Sequence, residues 1–230
     1  MSKRCAIMQP TYLPWAGYFN LISQVDVFVF LDDVQYVRRY WHSRNRILVG
    51  DGDPRFITVP VHSQQTQTLN TIKIDDSQKW RDKHTKTLSH AYAKHPFKDE
   101  AFSVVFDTIK DLSIRYLSEL NIKLILDLSR QLNLCTDFVK ASDISVYGKR
   151  SKYLLAICEY LGCDEYLSPL GASGYLEEDA VFNNSNVNLL FQNFTTKPYP
   201  QKGNSSFISH LSIFDVVANL GWQNAFHYVD

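Results

Sequence analysis

Two adjacent carboxylates, Asp32 and Asp33, follow an apolar run in "VFVFLDDVQY". At the end of a strand, such a carboxylate could take a proton from a nucleophile, bind Mg²⁺ or hold a sugar hydroxyl. Strand alternation turns neighbouring side chains to opposite sides, so only one of the two should face a site. Asp33 is favoured, because "DDVQY" continues into a loop. Asp is also an ordinary turn or cap residue. Shortly after, "YWHSRNRI" carries His42, Arg44 and Asn45. Histidine titrates near neutral pH, and a guanidinium offers forked donors to phosphate or carboxylate. A solvated strand edge would use the same residues.

Upstream, "QPTYLPWAGYF" gathers Gln9, Pro10, Tyr12, Trp15, Gly17 and Tyr18. Prolines stiffen the segment, and Gly17 permits a close approach at a helix start. The free N–H groups of that first turn suit a phosphate. The Gln9 amide both donates and accepts. The alternative is a rigid turn with packed aromatics. A third cluster, "YLSPLGASGYL", holds Ser168, Gly171, Ser173, Gly174 and Tyr175. Its small residues could form a nest of backbone N–H groups for an anion. No GK[ST] follows, so it is not a Walker loop. Gln35 and Gln201 complete the expected ligand contacts.

These residues need elements to position them. Cys5–Met8 reads as a strand, Ala16–Gln24 as a helix and Val25–Leu31 as a second strand. "RNRILVGDGDPRFITVPV" reads as a hairpin, and "LNTIKID" as a further strand. Helices are expected over Ser77–Lys94, Ala101–Ile109 and Ser113–Leu132, an insertion spanning about 77–132. The α/β rhythm then resumes. A helix over Lys152–Leu161 stops at Gly162, and a strand follows at Glu165–Ser168. A short helix, a "VNLLFQ" strand and a last helix closed by Gly221 finish the chain. The expected fold is α/β, mainly a parallel sheet of Rossmann or nucleotidyltransferase-like type, forming a single domain over residues 1–230. In such a sheet the three loops would meet beyond the strands' carboxyl ends and line one pocket.

Composition narrows the function classes. The formal net charge is zero, which disfavours a nucleic-acid holder. Apolar residues reach 45 %, enough for a core, and no apolar run is long enough for a membrane span. Four scattered cysteines without a CxxC pair, and no signal peptide, point to reduced thiols in the cytoplasm. His84 and His95 would lie roughly 16 Å apart on one helix, too far to share a metal. No metal site is expected.

Seven blocks together, "QPTYLPWAGYF", "DVFVFLDDVQY", "RNRI", "TVPV", "YLSPLGASGYL", "PYPQ" and "LSIFDVVANLG", resemble the WbqC-like family over nearly the whole chain. Ser43 stands where that pattern would have Asn. The resemblance implies a transferase of bacterial surface-polysaccharide or O-antigen biosynthesis, placing a glycyl or other acyl group on a nucleotide-linked amino sugar. The first strand–helix–strand unit also looks like that of pantothenate synthetase and related nucleotidyltransferases. Those enzymes have a histidine where Tyr18 stands. This likeness implies ATP or a nucleotide sugar, with Mg²⁺, as the ligand. A non-catalytic nucleotide- or sugar-binding protein of the same pathway, and a ligase-like enzyme, are the other readings.

Overall fold

Val, Phe and Leu runs bounded by turn residues make strands buried on both faces, as a parallel sheet requires. The computed structural model describes residues 2–49, 52–64, 66–202 and 206–230. The chain opens with β1 (Arg4–Met8), α1 (Ala16–Ser23) and β2 (Val27–Phe30). An antiparallel hairpin follows, β3 (Arg44–Val49) with β4 (Asp53–Thr58). Of its expected turn, Gly50 and Asp51 lie outside the described residues. A minor pair joins β5 (Val61–His62) to β6 (Lys73–Ile74). Three helices come next, α2 (Trp80–Ala91), α3 (Lys98–Lys110) and α4 (Leu117–Gln131). The sheet resumes with β7 (Asp137–Lys140), α5 (Ser151–Tyr160), β8 (Glu165–Ser168), α6 (Ser173–Asp179) and β9 (Asn188–Phe191), before α7 (Ile213–Val229).

The main sheet has the order β7-β2-β1-β8-β9, and every pairing is parallel. Counted along the chain, its five strands run 3-2-1-4-5, the Rossmann arrangement. Alternation divides the side chains between two layers. Ala6, Phe28 and Phe30 join the larger core with α1, α2, α3, α4 and α7. Cys5, Ile7, Val27 and Val29 join the smaller one with α5 and α6. Phe30 stacks nearly parallel to Phe138 of β7, and Phe28 meets the same ring edge-on.

Several boundaries differ from expectation. β7 gave no clear sequence signal, being four residues long with charged ends. "LNTIKID" supplies only two strand residues, because Leu69–Thr71 forms a 3₁₀ turn. Helix α4 starts at Leu117, where Tyr116 and Glu119 form a capping box. Gly221 does not end the chain's last helix. It breaks it at φ 73°, with Phe97 packed where a Cβ would sit, and helix continues to Val229.

Three thiols the sequence scattered come together. Cys5 Sγ lies 3.5 Å from Cys158 Sγ, and Cys163 is buried beside them. Hydrogen bonding to Cys158, then burial, raises the Cys5 thiol above its ordinary range. Cys163 is raised first by its bond to Cys5. Cys135 alone is exposed.

Arg81 ties the helical insertion together. Its buried guanidinium donates to Asp76 and to the carbonyls of Ile109, Asp111 and Ile114. Arg81→Met keeps the stem but leaves these acceptors unpaired. We expect a loss of about 3–5 kcal/mol in urea unfolding. A loss below about 1 kcal/mol would show that water replaces the guanidinium freely.

Candidate functional site

A cleft of about 490 Å³ opens beyond the carboxyl ends of β1 and β8. The strand order reverses between these two strands, and ligands of open parallel sheets bind at such a point. Ile7, Met8, Leu31 and Tyr166 contribute from the strand ends. Gln9, Thr11, Trp15 and Tyr18 contribute from the first loop and helix. Pro169, Gly171, Ala172 and Tyr175 follow β8, and Leu154 comes from α5. Tyr40, Trp41 and Asn45 close another side, with His210 at the edge. The described lining holds aromatic rings, amides and hydroxyls, but no carboxylate, lysine or arginine.

The first loop answers why its residues are so unusual. Tyr12 and Pro10 do not line the cleft; both are buried. The Tyr12 hydroxyl meets His84 Nδ1 at 2.9 Å. Asn45 donates to the carbonyls of Tyr12 and Leu13, at 3.1 and 2.7 Å. Asn121, from α4, donates to those of Pro10 and His42. The Tyr18 hydroxyl donates to the Gln9 carbonyl. Gly17 does permit a close approach, but of the Trp15 indole, which lies over it where a Cβ would collide. Trp15 in turn packs 4.6 Å from His210 and 5.6 Å from Phe194, centroid to centroid.

The second cluster, just past the end of β2, divides by its partners. Asp32 is buried and accepts from Ser142 N and Oγ, at 3.0 and 2.8 Å. Asp33 accepts from the Tyr153 hydroxyl, while its buried Oδ1 has no partner. Burial, then Asp33, raises the Tyr153 hydroxyl above its ordinary range, so it stays protonated and donates. Neither Asp lines the cleft. Leu31, two residues before Asp33, and Leu154, next to Tyr153, both do. Among the described residues no three His, Cys, Asp or Glu side chains gather to hold a metal. The pair therefore offers Mg²⁺ at most one carboxylate, and the site does not fit a resident ion held by protein alone.

The remaining expected residues are dispersed. His42 is fully buried, its Nε2 2.8 Å from the Gln9 amide oxygen. Burial lowers it to about 4, with the Val37 carbonyl opposing, so the ring is neutral at pH 7. Arg44 lies over the Phe56 ring at 4.3 Å, on the side of β3 away from Asn45. Gln35 is exposed and bridges to Thr68. Gln201 is buried, bonded to Ile208 and Asp215. Ser168 is buried under Pro169. Ser173 starts α6, and no nest forms: Gly171 and Gly174 have no positive φ. A nest alternates right- and left-handed residues, whereas this segment is a 3₁₀ turn running into a helix.

Reading the sequence missed Tyr40, Trp41, Thr11 and His210 as lining residues. The exposure of Tyr40 and Trp41 (46 % and 38 %) is unusual for large rings beside a cleft, but only the fold reveals it.

The model of the WbqC-like protein family matches residues 9–226. The uncharacterised protein Rv1507c of Mycobacterium tuberculosis is 29 % identical over 222 residues, covering 95 % of this chain and 94 % of that protein. No solved structure matches the chain.

His42 and His84, flanking the first loop, make its packing sensitive to acid. Burial lowers both rings from 6.5 to about 4 in the folded chain. Between those values the unfolded chain binds more protons, so stability falls as pH drops through that window. The loss should be about 2 kcal/mol per ring by pH 5, above the range where ordinary Asp carboxylates titrate. Urea midpoints at pH 7 and pH 5 test this. His42→Asn should flatten the slope by half, and a midpoint unchanged across the range would contradict it.

Proposed function

The chain belongs to the WbqC-like protein family, and from that premise we propose that it is a transferase of bacterial surface-polysaccharide assembly. It forms an amide, glycyl or other acyl, on a nucleotide-linked amino sugar bound in the cleft. What carries the reading is the cleft itself: a switch-point position, a volume of about 490 Å³, and walls of Trp15, Tyr40, Trp41 and Tyr175. Small-molecule sites fall in this size range and combine apolar walls with a few fixed polar groups. Aromatic faces stack on a base or a sugar, and Gln9 and Asn45 are fixed by the bonds described above.

Amide formation requires the attacking amine to lose a proton as its nitrogen bonds the acyl carbon of an activated donor, whose bond to its carrier group breaks so that the carrier leaves. Asp33, two residues past the lining Leu31 and outside the cleft wall, is the group assigned to accept that proton through one intervening water. Asp32 is unsuited, since Ser142 occupies both its oxygens. Asp33 keeps Oδ1 unpaired, and Tyr153 fixes the other oxygen. Tyr153 is thus a positioning residue.

A second reading has its own support. The described cleft lining holds no acid, lysine or arginine, which suits a non-catalytic binder of the same nucleotide-linked ligand. The two part on turnover. Purified protein is given nucleotide-linked amino sugars and activated acyl donors, and products are read by mass spectrometry. A ligand at 100 times its dissociation constant should add roughly 2.7 kcal/mol of stability in a thermal-shift screen. Trp41→Ala should weaken binding by about 1–3 kcal/mol if a base or ring stacks there. Asp33→Asn should cut turnover roughly 10²–10⁴-fold with the melting temperature kept. Saturable binding without product selects the binding protein. Unchanged turnover in Asp33→Asn removes Asp33 from the chemistry.

A further inference from the structure

Behind the segment that walls the cleft lies a second recess of about 290 Å³. Arg38 and Arg39 line it together with Arg44. The sequence shows the first two as a mere pair, and the fold of the hairpin brings in the third. Tyr36, Ser43, Thr58 and Ser63 supply hydroxyls to the same recess, and the Tyr36 hydroxyl donates to Ser43 Oγ.

Arg4, Arg81, Arg130 and Arg150 each pair with a carboxylate. Among the described residues, Arg38, Arg39 and Arg44 have no acid to neutralise them, as Arg46, Arg55 and Arg115 have none, but only the first three share one recess. No acid among the described residues lines that recess. Asp75 is close in the chain network, its N–H bonded to the Pro60 carbonyl. Its carboxylate, however, is taken by Ser77, Gln78 and His62. Arg44 is further held in place, its guanidinium over Phe56. Arg39 sits in the left-handed region at φ 55°, a conformation a non-glycine residue keeps only where its surroundings fix it. In a chain of zero net charge, three unneutralised arginines around one concavity concentrate positive potential there.

We infer that this recess is an anion site, built for the phosphate or diphosphate group of a small molecule. Forked guanidiniums from three positions can each give two parallel N–H bonds to phosphate oxygens, which a set of lysines could not. The site is distinct from the cleft, since alternation along β3 sends Arg44 to the recess and Asn45 to the cleft. It therefore holds whether or not the cleft takes a nucleotide-linked substrate.

Titration calorimetry with inorganic pyrophosphate, without metal, tests it on the full chain. We expect saturable binding of one pyrophosphate per chain, weakened by added salt. Arg44→Ala, and Arg38→Ala with Arg39→Ala, should each lower the affinity at least tenfold. Arg55→Ala, on the exposed face of the same hairpin, should change it less than twofold. Arg38, Arg39 and Arg55 are exposed, so the melting temperatures of their variants should hold, and Arg44→Lys, which keeps a charge but loses the fork, controls for the half-buried Arg44. Citrate binding as well as pyrophosphate would redefine the site as one for carboxylates and overturn the phosphate assignment. An equal loss in Arg55→Ala would reduce it to diffuse charge. A single-stranded oligonucleotide binding where pyrophosphate does not, or no heat at millimolar pyrophosphate, would overturn it outright.

Discussion

The segment from Pro10 to Pro14 is buried between the half-buried Gln9 and Trp15, and a buried carbonyl needs a donor. Two of its residues are prolines, so it cannot satisfy itself by making regular structure. Its carbonyls and those of its two flanking residues are claimed instead from every side. Tyr18 serves Gln9 and Trp15, Asn121 serves Pro10, Asn45 serves Tyr12 and Leu13, and the Ile213 N–H serves Pro14. These donors sit on α1, α4, β3 and the start of α7. One irregular stretch thus fixes how the hairpin, the helical insertion and the last helix stand against the sheet. Leu13, buried at φ 44°, shows how tightly the path is imposed.

The cleft follows from that constraint. With the loop held from behind, the faces of Trp15 and Tyr18 and the amide of Gln9 are left toward the strand ends. The loop's polar atoms are nearly all committed to protein, so the ligand-facing surface is aromatic and neutral. Positive charge is displaced to the far side of β3. Alternation along β3 separates Asn45 from Arg44, and a shift of one residue in that strand would exchange their roles.

Much of the fold was legible because local signals agreed. Cys5–Met8, Val25–Leu31 and Glu165–Ser168 read as short strands, and strands form over Arg4–Met8, Val27–Phe30 and Glu165–Ser168. The site was legible where it followed directly from strand ends, as with Gln9, Trp15 and Tyr175. It was illegible where a residue's job depends on a partner far along the chain. Asn45 lines the cleft, and nothing beside it in the sequence shows that it also clamps a loop 32 residues away. Gln201 looks like part of a motif, yet it holds Asp215 and the Ile208 strap. Asn121 lies in a leucine-rich helix and drew no attention, because the carbonyls it satisfies belong to other elements. Sequence spacing reports faces of one element, and these bonds join several.

The thiols leave the chain with an asymmetry of practical use. Cys5, Cys158 and Cys163 are sealed together under α5, while Cys135 stands in solvent just ahead of β7. β7 runs parallel to its neighbours, so Cys135 sits at the amino end of the sheet and the cleft opens at the other. A maleimide reagent thus meets one attachment point, at the end of the sheet away from the cleft. The protein can be tethered to a sensor surface or carry a dye there, with its recognition face turned toward solution and without removing a single cysteine.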